Sequence, residues 1–163
     1  MSAVEELKAK LQLPPVTQIG FVVWDVDKAV EHYLSMLGMG PWTVYEFVPD
    51  QHWFWGKPSH LKLKMAKAMS GNIEFELIQP LEGESLHLEF LETSGEGVQH
   101  LGFNVPDYDD TFDRFVKAGF EPAMRAETYV DTYKGRLKAC YFDTRRVTGI
   151  ALEIMWRSWS QES

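Results

Sequence analysis

The chain has 163 residues, of which 45% are hydrophobic and 13% aromatic, and its formal net charge is −8. This apolar content is enough for a buried core and argues against a disordered chain. The negative charge argues against a nucleic-acid partner, because an acidic surface repels phosphates. A single cysteine, no signal pattern and no long apolar run predict a soluble, cytoplasmic protein without a membrane partner.

The first half of the chain shows one helix-strand pattern. Residues 2–12 have helical propensity that Pro14-Pro15 interrupts, which predicts an N-terminal arm over residues 1–15. A strand is predicted over 16–24, followed by a helix that Asp25 caps and Gly38 ends. Further strands are predicted over 42–48, 60–68 and 72–79, with an aromatic loop from Pro49 to Ser59.

The second half repeats this order after a linker over residues 81–96, in which a short helix is predicted from Leu86 to Leu91. The predicted elements are a strand over 97–105, a helix over 107–118 and strands over 122–130, 135–143 and 148–156. The pattern is therefore βαβββ twice, with a first module over residues 16–80 and a second over residues 97–157.

Two short segments of the first module recur in the second. The segment Gln-Ile-Gly-Phe-Val-Val at 18–23 matches His-Leu-Gly-Phe-Asn-Val 82 positions later, and Ile-Glu-Phe-Glu-Leu-Ile at 73–78 matches Ile-Ala-Leu-Glu-Ile-Met 77 positions later. Internal repeats indicate duplicated structural units. We expect an α+β fold in which two paired βαβββ modules form a curved mixed sheet around a cleft, with the helices outside.

The repeat places four polar side chains in equivalent positions. Side chains alternate between the two faces of a strand, so Gln18, Glu76, His100 and Glu153 each lie opposite an apolar face that packs on a helix. Two glycines, Gly20 and Gly102, lie on the polar face and are expected to leave space above the sheet. Any one of these side chains is usually structural or solvated, but their shared register favours a common site.

One imidazole nitrogen and three oxygens suit a divalent metal ion such as Zn, Ni, Co, Mn or Fe. Four protein ligands leave two octahedral positions for a substrate. The sequence therefore predicts a metal site formed by Gln18, Glu76, His100 and Glu153, either within one chain or shared across a dimer.

These motifs carry a family resemblance. The Gln-Ile-Gly-Phe, Gly-Val-Gln-His-Leu-Gly-Phe and Ile-Ala-Leu-Glu-Ile segments resemble the vicinal oxygen chelate superfamily over residues 16–156. That superfamily contains glyoxalase I, methylmalonyl-CoA epimerases, extradiol dioxygenases and antibiotic-resistance binding proteins. The resemblance implies the glyoxalase/bleomycin-resistance-like fold. The linker looks most like the epimerases, whereas the four ligand types look most like zinc-using glyoxalase I.

The resemblance implies a metal-dependent lyase or isomerase, of the lactoylglutathione lyase type, that moves a proton next to a metal-bound carbonyl. Glu153, or Glu76 across the pseudo-twofold axis, is then the catalytic base. The chain departs from glyoxalase I at its glutathione contacts, where it has Val22, Pro80 and Glu96. Whether glutathione or CoA is used therefore stays open.

Three alternatives remain on the same fold. The first is a non-catalytic small-molecule binding protein, and the second is a methylmalonyl-CoA epimerase-like enzyme. The epimerases have a second base where the nearest alignment puts Lys62 in this chain. The third is an oxygenase, which Gln18 disfavours because extradiol dioxygenases need two histidines and one carboxylate.

Aromatic residues cluster on or just after the second predicted strand. We expect a low-polarity substrate pocket there, with core or dimer packing as the alternative. The residues predicted to line it are Trp42, Tyr45, Trp53, Phe54, Trp55 and Lys62. The expected partners are a small, hydrophobic carbonyl substrate and a second copy of the chain, because the aromatic excess leaves apolar surface that a homodimer would cover.

Overall fold

The computed structural model describes residues 2–159. Its helices are α1 (Ala3–Leu11), α2 (Val26–Leu37), α3 (Leu86–Ser94), α4 (Tyr108–Lys117) and α5 (Arg145–Thr148). Its strands are β1 (Gln18–Val22), β2 (Thr43–Phe47), β3 (Gln51–Phe54), β4 (Lys57–Pro58), β5 (Lys62–Ser70), β6 (Ile73–Glu82), β7 (Gly97–Asn104), β8 (Pro122–Val130), β9 (Gly135–Phe142) and β10 (Ala151–Arg157). Among these residues, no helix has the length and hydropathy that a membrane crossing needs.

All ten strands form one curled, mixed sheet in the order β2-β5-β6-β1-β7-β10-β9-β8-β3-β4. The antiparallel pair β1 and β7 joins the two halves, and outward from it each half repeats a parallel neighbour, β6 or β10, and then antiparallel strands. The predicted α+β fold of paired βαβββ modules is confirmed. β2 and β3 lie near opposite ends of the strand order although only residues 48–50 connect them, so the sheet curls on itself.

The segment from Pro49 to Ser59, predicted as a loop, contains the hairpin β3–β4. Its turn has φ values of 48° at Trp55 and 75° at Gly56. Positive φ at both central residues is typical of the two-residue hairpin turn that matches the strand twist. β3 then pairs with β8, so part of the first module extends the sheet of the second.

Helices α2 and α4 cover the convex face, as the alternation of apolar residues predicts. Phe115 of α4 stacks on Phe142 of β9 with ring centroids 4.3 Å apart. In the first half, Phe21 of β1 meets Tyr33 of α2 edge-on at 5.9 Å. The N-terminal helix α1 also docks here, because Arg114 donates a hydrogen bond to the Leu11 carbonyl.

The concave face has its own apolar packing, which encloses a cavity. In the first half this cluster contains Leu61, Leu63, Met65 and Ile78. In the second half Leu86 of α3 packs with Met124 and Tyr141, and Phe54 of the hairpin lies against them. The linker helix and the hairpin therefore close one part of the concave face, and the cavity lies between the two halves.

Candidate metal centre

The four predicted side chains come from the four central strands, and all are buried. The Nε2 atom of His100 lies 3.4 Å from Glu153 Oε2, 3.5 Å from Glu76 Oε2 and 3.2 Å from Gln18 Oε1. The potential ligand atoms of Glu76, His100 and Glu153 all lie within 4.8 Å of one another. The structure thus brings together the residues that the repeat singled out.

Each glycine of the repeated motif lies opposite a ligand of the other half. Gly20 pairs with His100 across the β1–β7 ladder, and Gly102 pairs with Gln18. A Cβ atom on Gly20 would lie 1.8 Å from His100 Cε1, and one on Gly102 would lie 2.7 Å from Gln18 Oε1. The space that we expected the glycines to leave is therefore filled by the ligand side chains themselves.

Hydrogen bonds outside the centre orient two of its members. Gln99 Oε1 lies 2.8 Å from His100 Nδ1, and because an amide oxygen only accepts, Nδ1 is the donor and Nε2 faces the carboxylates. Gln18 Nε2 donates to Glu74 Oε1 at 2.7 Å, which leaves Gln18 Oε1 directed at His100. Partners of this kind fix the tautomer and orientation of metal ligands in proteins.

The two carboxylates of the centre are held differently. Lys67 Nζ lies 3.1 Å from Glu76 Oε1 and 3.3 Å from Glu74 Oε1, so it forms an ion pair with both. The remaining oxygens, Glu76 Oε2 and Glu153 Oε2, are buried and have no hydrogen-bond partner among the described residues. Buried acceptors without a donor are costly, so these two atoms call for a cation.

The pKa values show how strongly the groups interact. Burial alone would lower the pKa of His100, but the nearby negative charges of Glu153 and Glu76 raise it to about 9. Burial would raise the pKa of Glu76, but the positive charges of Lys67 and of protonated His100 lower it to about 2. Without a metal ion, a proton on His100 therefore offsets part of the carboxylate charge.

The donor set fits a divalent cation. It offers one imidazole nitrogen, two carboxylate oxygens without partners and one amide oxygen, a combination that Zn, Ni, Co, Mn and Fe accept. Charge also fits, since Lys67 balances Glu74 and leaves Glu76 and Glu153 with a total of −2. The residues that would hold the ion are Gln18, Glu76, His100 and Glu153.

The centre opens into the cavity of the concave face, whose interior volume is about 60 Å³. A volume of this size holds a few water molecules or a small ligand. Glu76 and Glu153 are in its wall, and most other lining residues are apolar. Lining residues include Tyr45, Phe47, Leu61, Leu63, Met65, Met124, Leu137, Ala139 and Met155.

Of the residues predicted for the substrate pocket, Tyr45 lines this cavity and the others lie elsewhere. Trp42 packs edge-on against Tyr33 of α2 with centroids 5.7 Å apart, and Trp53 lies under the guanidinium of Arg125 at 5.0 Å. Phe54 and Trp55 belong to the cluster around Leu86, Met124 and Tyr141, and neither lines the cavity.

Lys62 also lies elsewhere, and strand alternation gives the reason. Leu63, Met65 and Lys67 line the cavity from β5, so Lys62 points to the other face, where it forms an ion pair with Glu46 at 2.9 Å. The pocket lysine is therefore Lys67. Lys67 is separated from Leu63 and Met65 by even numbers of residues, and this spacing predicts from the sequence that the three side chains share one face of the strand.

Four further polar residues of the cavity region were missed by sequence reasoning, and one of them, Arg125 of β8, lies in the wall. His87 of α3 lies in the wall, and the neighbouring Gln99 binds both His87 and His100. Arg157 follows Glu153 and Met155 on the same face of β10 and lines the cavity without an ion pair to any residue of 2–159. A histidine in a linker and an arginine after the repeated motif carry no pattern of their own.

A match to a protein-family model identifies the superfamily of this chain. The model of the glyoxalase/bleomycin resistance protein/dioxygenase superfamily matches residues 17–141. The chain belongs to this superfamily. The match covers both halves of the sheet and three of the four residues of the centre, with Glu153 just beyond it.

One curated relative is similar to this chain over about half of its length. The uncharacterized protein YqjC of Bacillus subtilis (strain 168) is 33% identical over 86 residues, which span 52% of this chain and 53% of YqjC. The chain thus matches about half the length of this curated relative.

Solved structures show the same fold at low identity. Methylmalonyl-CoA epimerase from Mycobacterium tuberculosis superposes with a TM-score of 0.61 at 23% identity, over 88% of each chain. A variant of the Streptomyces coelicolor epimerase, in complex with 2-nitronate-propionyl-CoA, gives 0.61 at 20% identity, over 93% of this chain and 99% of that one.

The glycine arrangement gives a test of the centre. We expect Gly20→Ala to weaken divalent-metal binding about 10–100-fold, because the new Cβ would displace the rigid ring of His100. Gly102→Ala, the matched comparison, should have a smaller effect, because its Cβ would lie 2.7–2.9 Å from atoms of Gln18 and Met155, whereas the Cβ on Gly20 would lie 1.8–2.3 Å from three atoms of a rigid ring. Competition with a coloured chelator measures the affinities, and circular dichroism checks folding. Equal affinities for the two variants would contradict the geometry.

Proposed function

We propose that this protein is a metal-dependent lyase or isomerase that moves a proton on the carbon next to a carbonyl of a small substrate. The observation that carries the proposal is the pair of buried carboxylate oxygens, on Glu76 and Glu153, that lack hydrogen-bond partners and face His100 in the wall of an apolar cavity. Such a centre can both hold a cation and accept a proton.

Gln18, Glu76, His100 and Glu153 would hold the metal ion, whose identity among Zn, Ni, Co, Mn and Fe is set by the cell and the ligand geometry. When bound, a divalent cation polarises a carbonyl and stabilises the enolate that forms when a neighbouring C–H is deprotonated. The apolar wall supplied by residues such as Leu63, Met65 and Met155 keeps bulk water away and strengthens these charge interactions.

Glu153 is the better candidate for the base. Glu76 is held by Lys67, and the resulting low pKa, about 2, makes its carboxylate a weak proton acceptor. Within residues 2–159, Glu153 forms no ion pair with a lysine or arginine, and its contact is with His100. Glu153 would therefore take the proton from carbon and return it, while Glu76 stays ionised.

The substrate would be a small carbonyl compound with an apolar part. The cavity wall is mainly aliphatic and aromatic, and Arg157 places one positive charge on the same strand face as Glu153. An epimerase of the same fold binds an acyl-CoA analogue, 2-nitronate-propionyl-CoA. This favours an acyl thioester, and so an epimerase-like reaction, as the second candidate.

Replacing the base gives the direct test. We expect metal-loaded wild-type protein to exchange deuterium from solvent into the carbon next to the carbonyl of a substrate, followed by NMR over a panel of 2-oxo acids, hemithioacetals and acyl thioesters. Glu153→Gln keeps an oxygen ligand but removes the base, so exchange should fall about 10²–10⁴-fold. Glu92→Gln, at an exposed position of α3, should leave the rate unchanged.

The outcomes separate the alternatives. Exchange at the wild-type rate in Glu153→Gln would show that another group is the base. Metal binding together with ligand binding, but without exchange in any compound, would favour a non-catalytic binding protein. Oxygen consumption by the iron-loaded protein would favour an oxygenase.

Metal binding should also release a proton. His100 has a pKa of about 9 in the ion-free protein, above its ordinary value of 6.5, so it is protonated at pH 7.5 and must lose that proton to bind metal through Nε2. We expect about one proton per metal ion at pH 7.5 and none well above pH 9. Calorimetry in buffers of different ionisation enthalpy measures this number, and its absence at pH 7.5 would contradict the assignment of His100.

We also propose that the protein is a homodimer. Helix α2 exposes Leu34, Met36 and Leu37, with Met36 at 79% of its maximum accessible surface, and apolar surface of this kind often marks an interface. Sedimentation velocity at micromolar concentration should give a dimer, and Met36→Lys should shift it toward monomer. A wild-type monomer would contradict the proposal. In the structure of the single chain, the four candidate ligands come from that chain.

A further inference from the structure

His87 lies where a ligand of the metal centre would meet it. It is on the first turn of α3, is fully buried, and lines the cavity beside Glu76 and Glu153. Its ring centroid is 6.1 Å from that of His100 and 5.2 Å from that of Tyr141. A small molecule next to the metal centre would therefore be within hydrogen-bond reach of this ring.

Gln99 determines which nitrogen of His87 is free. Gln99 Oε1 lies 3.1 Å from His87 Nδ1 and 2.8 Å from His100 Nδ1, and it can only accept, so both Nδ1 atoms donate to it. The ring is fully buried, and no carboxylate is hydrogen-bonded to it among the described residues, so its surroundings favour the neutral form. Its Nε2 atom therefore keeps a lone pair and acts as an acceptor.

This acceptor has no donor among the described residues. The Nε2 atom of His87 is buried without a hydrogen-bond partner. His52, a second buried histidine, also has ring nitrogens without partners, but it does not line the cavity. Nor does His87 belong to the group of three residues whose ligand atoms lie within 4.8 Å of one another. It is thus an open acceptor beside the metal centre rather than one of its ligands.

We propose that His87 accepts a hydrogen bond from an O–H or N–H group of the substrate. It thereby selects carbonyl compounds that carry a hydroxyl or amide N–H within one or two bonds of the metal-binding oxygen, a spacing set by the short distance between the two histidine rings. The inference rests on the proposed metal centre and adds a specificity-determining contact to it. A buried acceptor rejects ligands that lack the donor, because they leave it unpaired.

Two hydroxamates test this contact without knowledge of the natural substrate. Acetohydroxamic acid and N-methylacetohydroxamic acid chelate a metal through the same two oxygens, but only the first has an N–H donor. Titrated into the Co²⁺-loaded full-length protein, the N–H compound should bind about tenfold more tightly than the N-methyl compound. The preference should disappear in His87→Leu and persist in His52→Leu.

The variants also separate hydrogen bonding from steric effects. His87→Gln has a side chain of similar size to Leu but keeps an acceptor oxygen, so it should retain part of the preference that His87→Leu loses. Equal binding of the two probes to wild-type protein, or an unchanged preference in His87→Leu, would overturn the proposal and leave a water molecule as the partner of Nε2. The wild-type comparison holds even if a variant fails to fold.

The result also distinguishes this inference from the proposed function. Wild-type protein that binds Co²⁺ but shows no N–H preference would overturn only the role of His87. Wild-type protein that binds no divalent metal would overturn the metal centre and this inference together. Deuterium exchange next to a carbonyl is measured separately and does not depend on His87.

Discussion

The antiparallel pairing of β1 with β7 is the interaction on which the rest of the molecule depends. It joins the two halves of the sheet and sets Gln18 opposite Gly102 and Gly20 opposite His100. Because a strand has a side-chain period of two, a slip of one residue would turn both ligands to the helix-covered face. Each side chain also needs a neighbour without a Cβ. One ladder therefore fixes the fold and the centre together.

Charge balance follows from this arrangement. Two carboxylates on β6 and β10 are brought beside a buried imidazole, where low polarity makes an unbalanced charge costly. Without metal, a proton on His100 and the ammonium group of Lys67 offset two of the three negative charges of Glu74, Glu76 and Glu153. A divalent cation can replace the proton because the site already holds two negative charges without hydrogen-bond partners.

The sequence alone predicted the fold and the convergence of the four repeated side chains, because both depend on strand alternation and an internal repeat. It did not predict the hairpin after Pro49, since Trp55 in a left-handed conformation is not a usual turn residue. It predicted Lys62 rather than Lys67 as the pocket lysine, although alternation with Leu63 and Met65 on the same strand favours Lys67. It also missed His87, because nothing local shows that a linker helix packs under the sheet.

The two halves have equivalent backbones, but the residues beside their two carboxylates differ. Glu76 pairs with Lys67 on β5, whereas the corresponding partner of Glu153 on β9 is Tyr141. Lys67 forms an ion pair with Glu76 and keeps it ionised. The neighbour of Glu153 is the ring of Tyr141, which also packs against His87 and His100. Two carboxylates in identical surroundings would be equally suited to pairing with a cation and to transferring a proton. The asymmetry leaves Glu76 paired with Lys67 and Glu153 without a lysine partner, which supports the proposed role of Glu153 as the base.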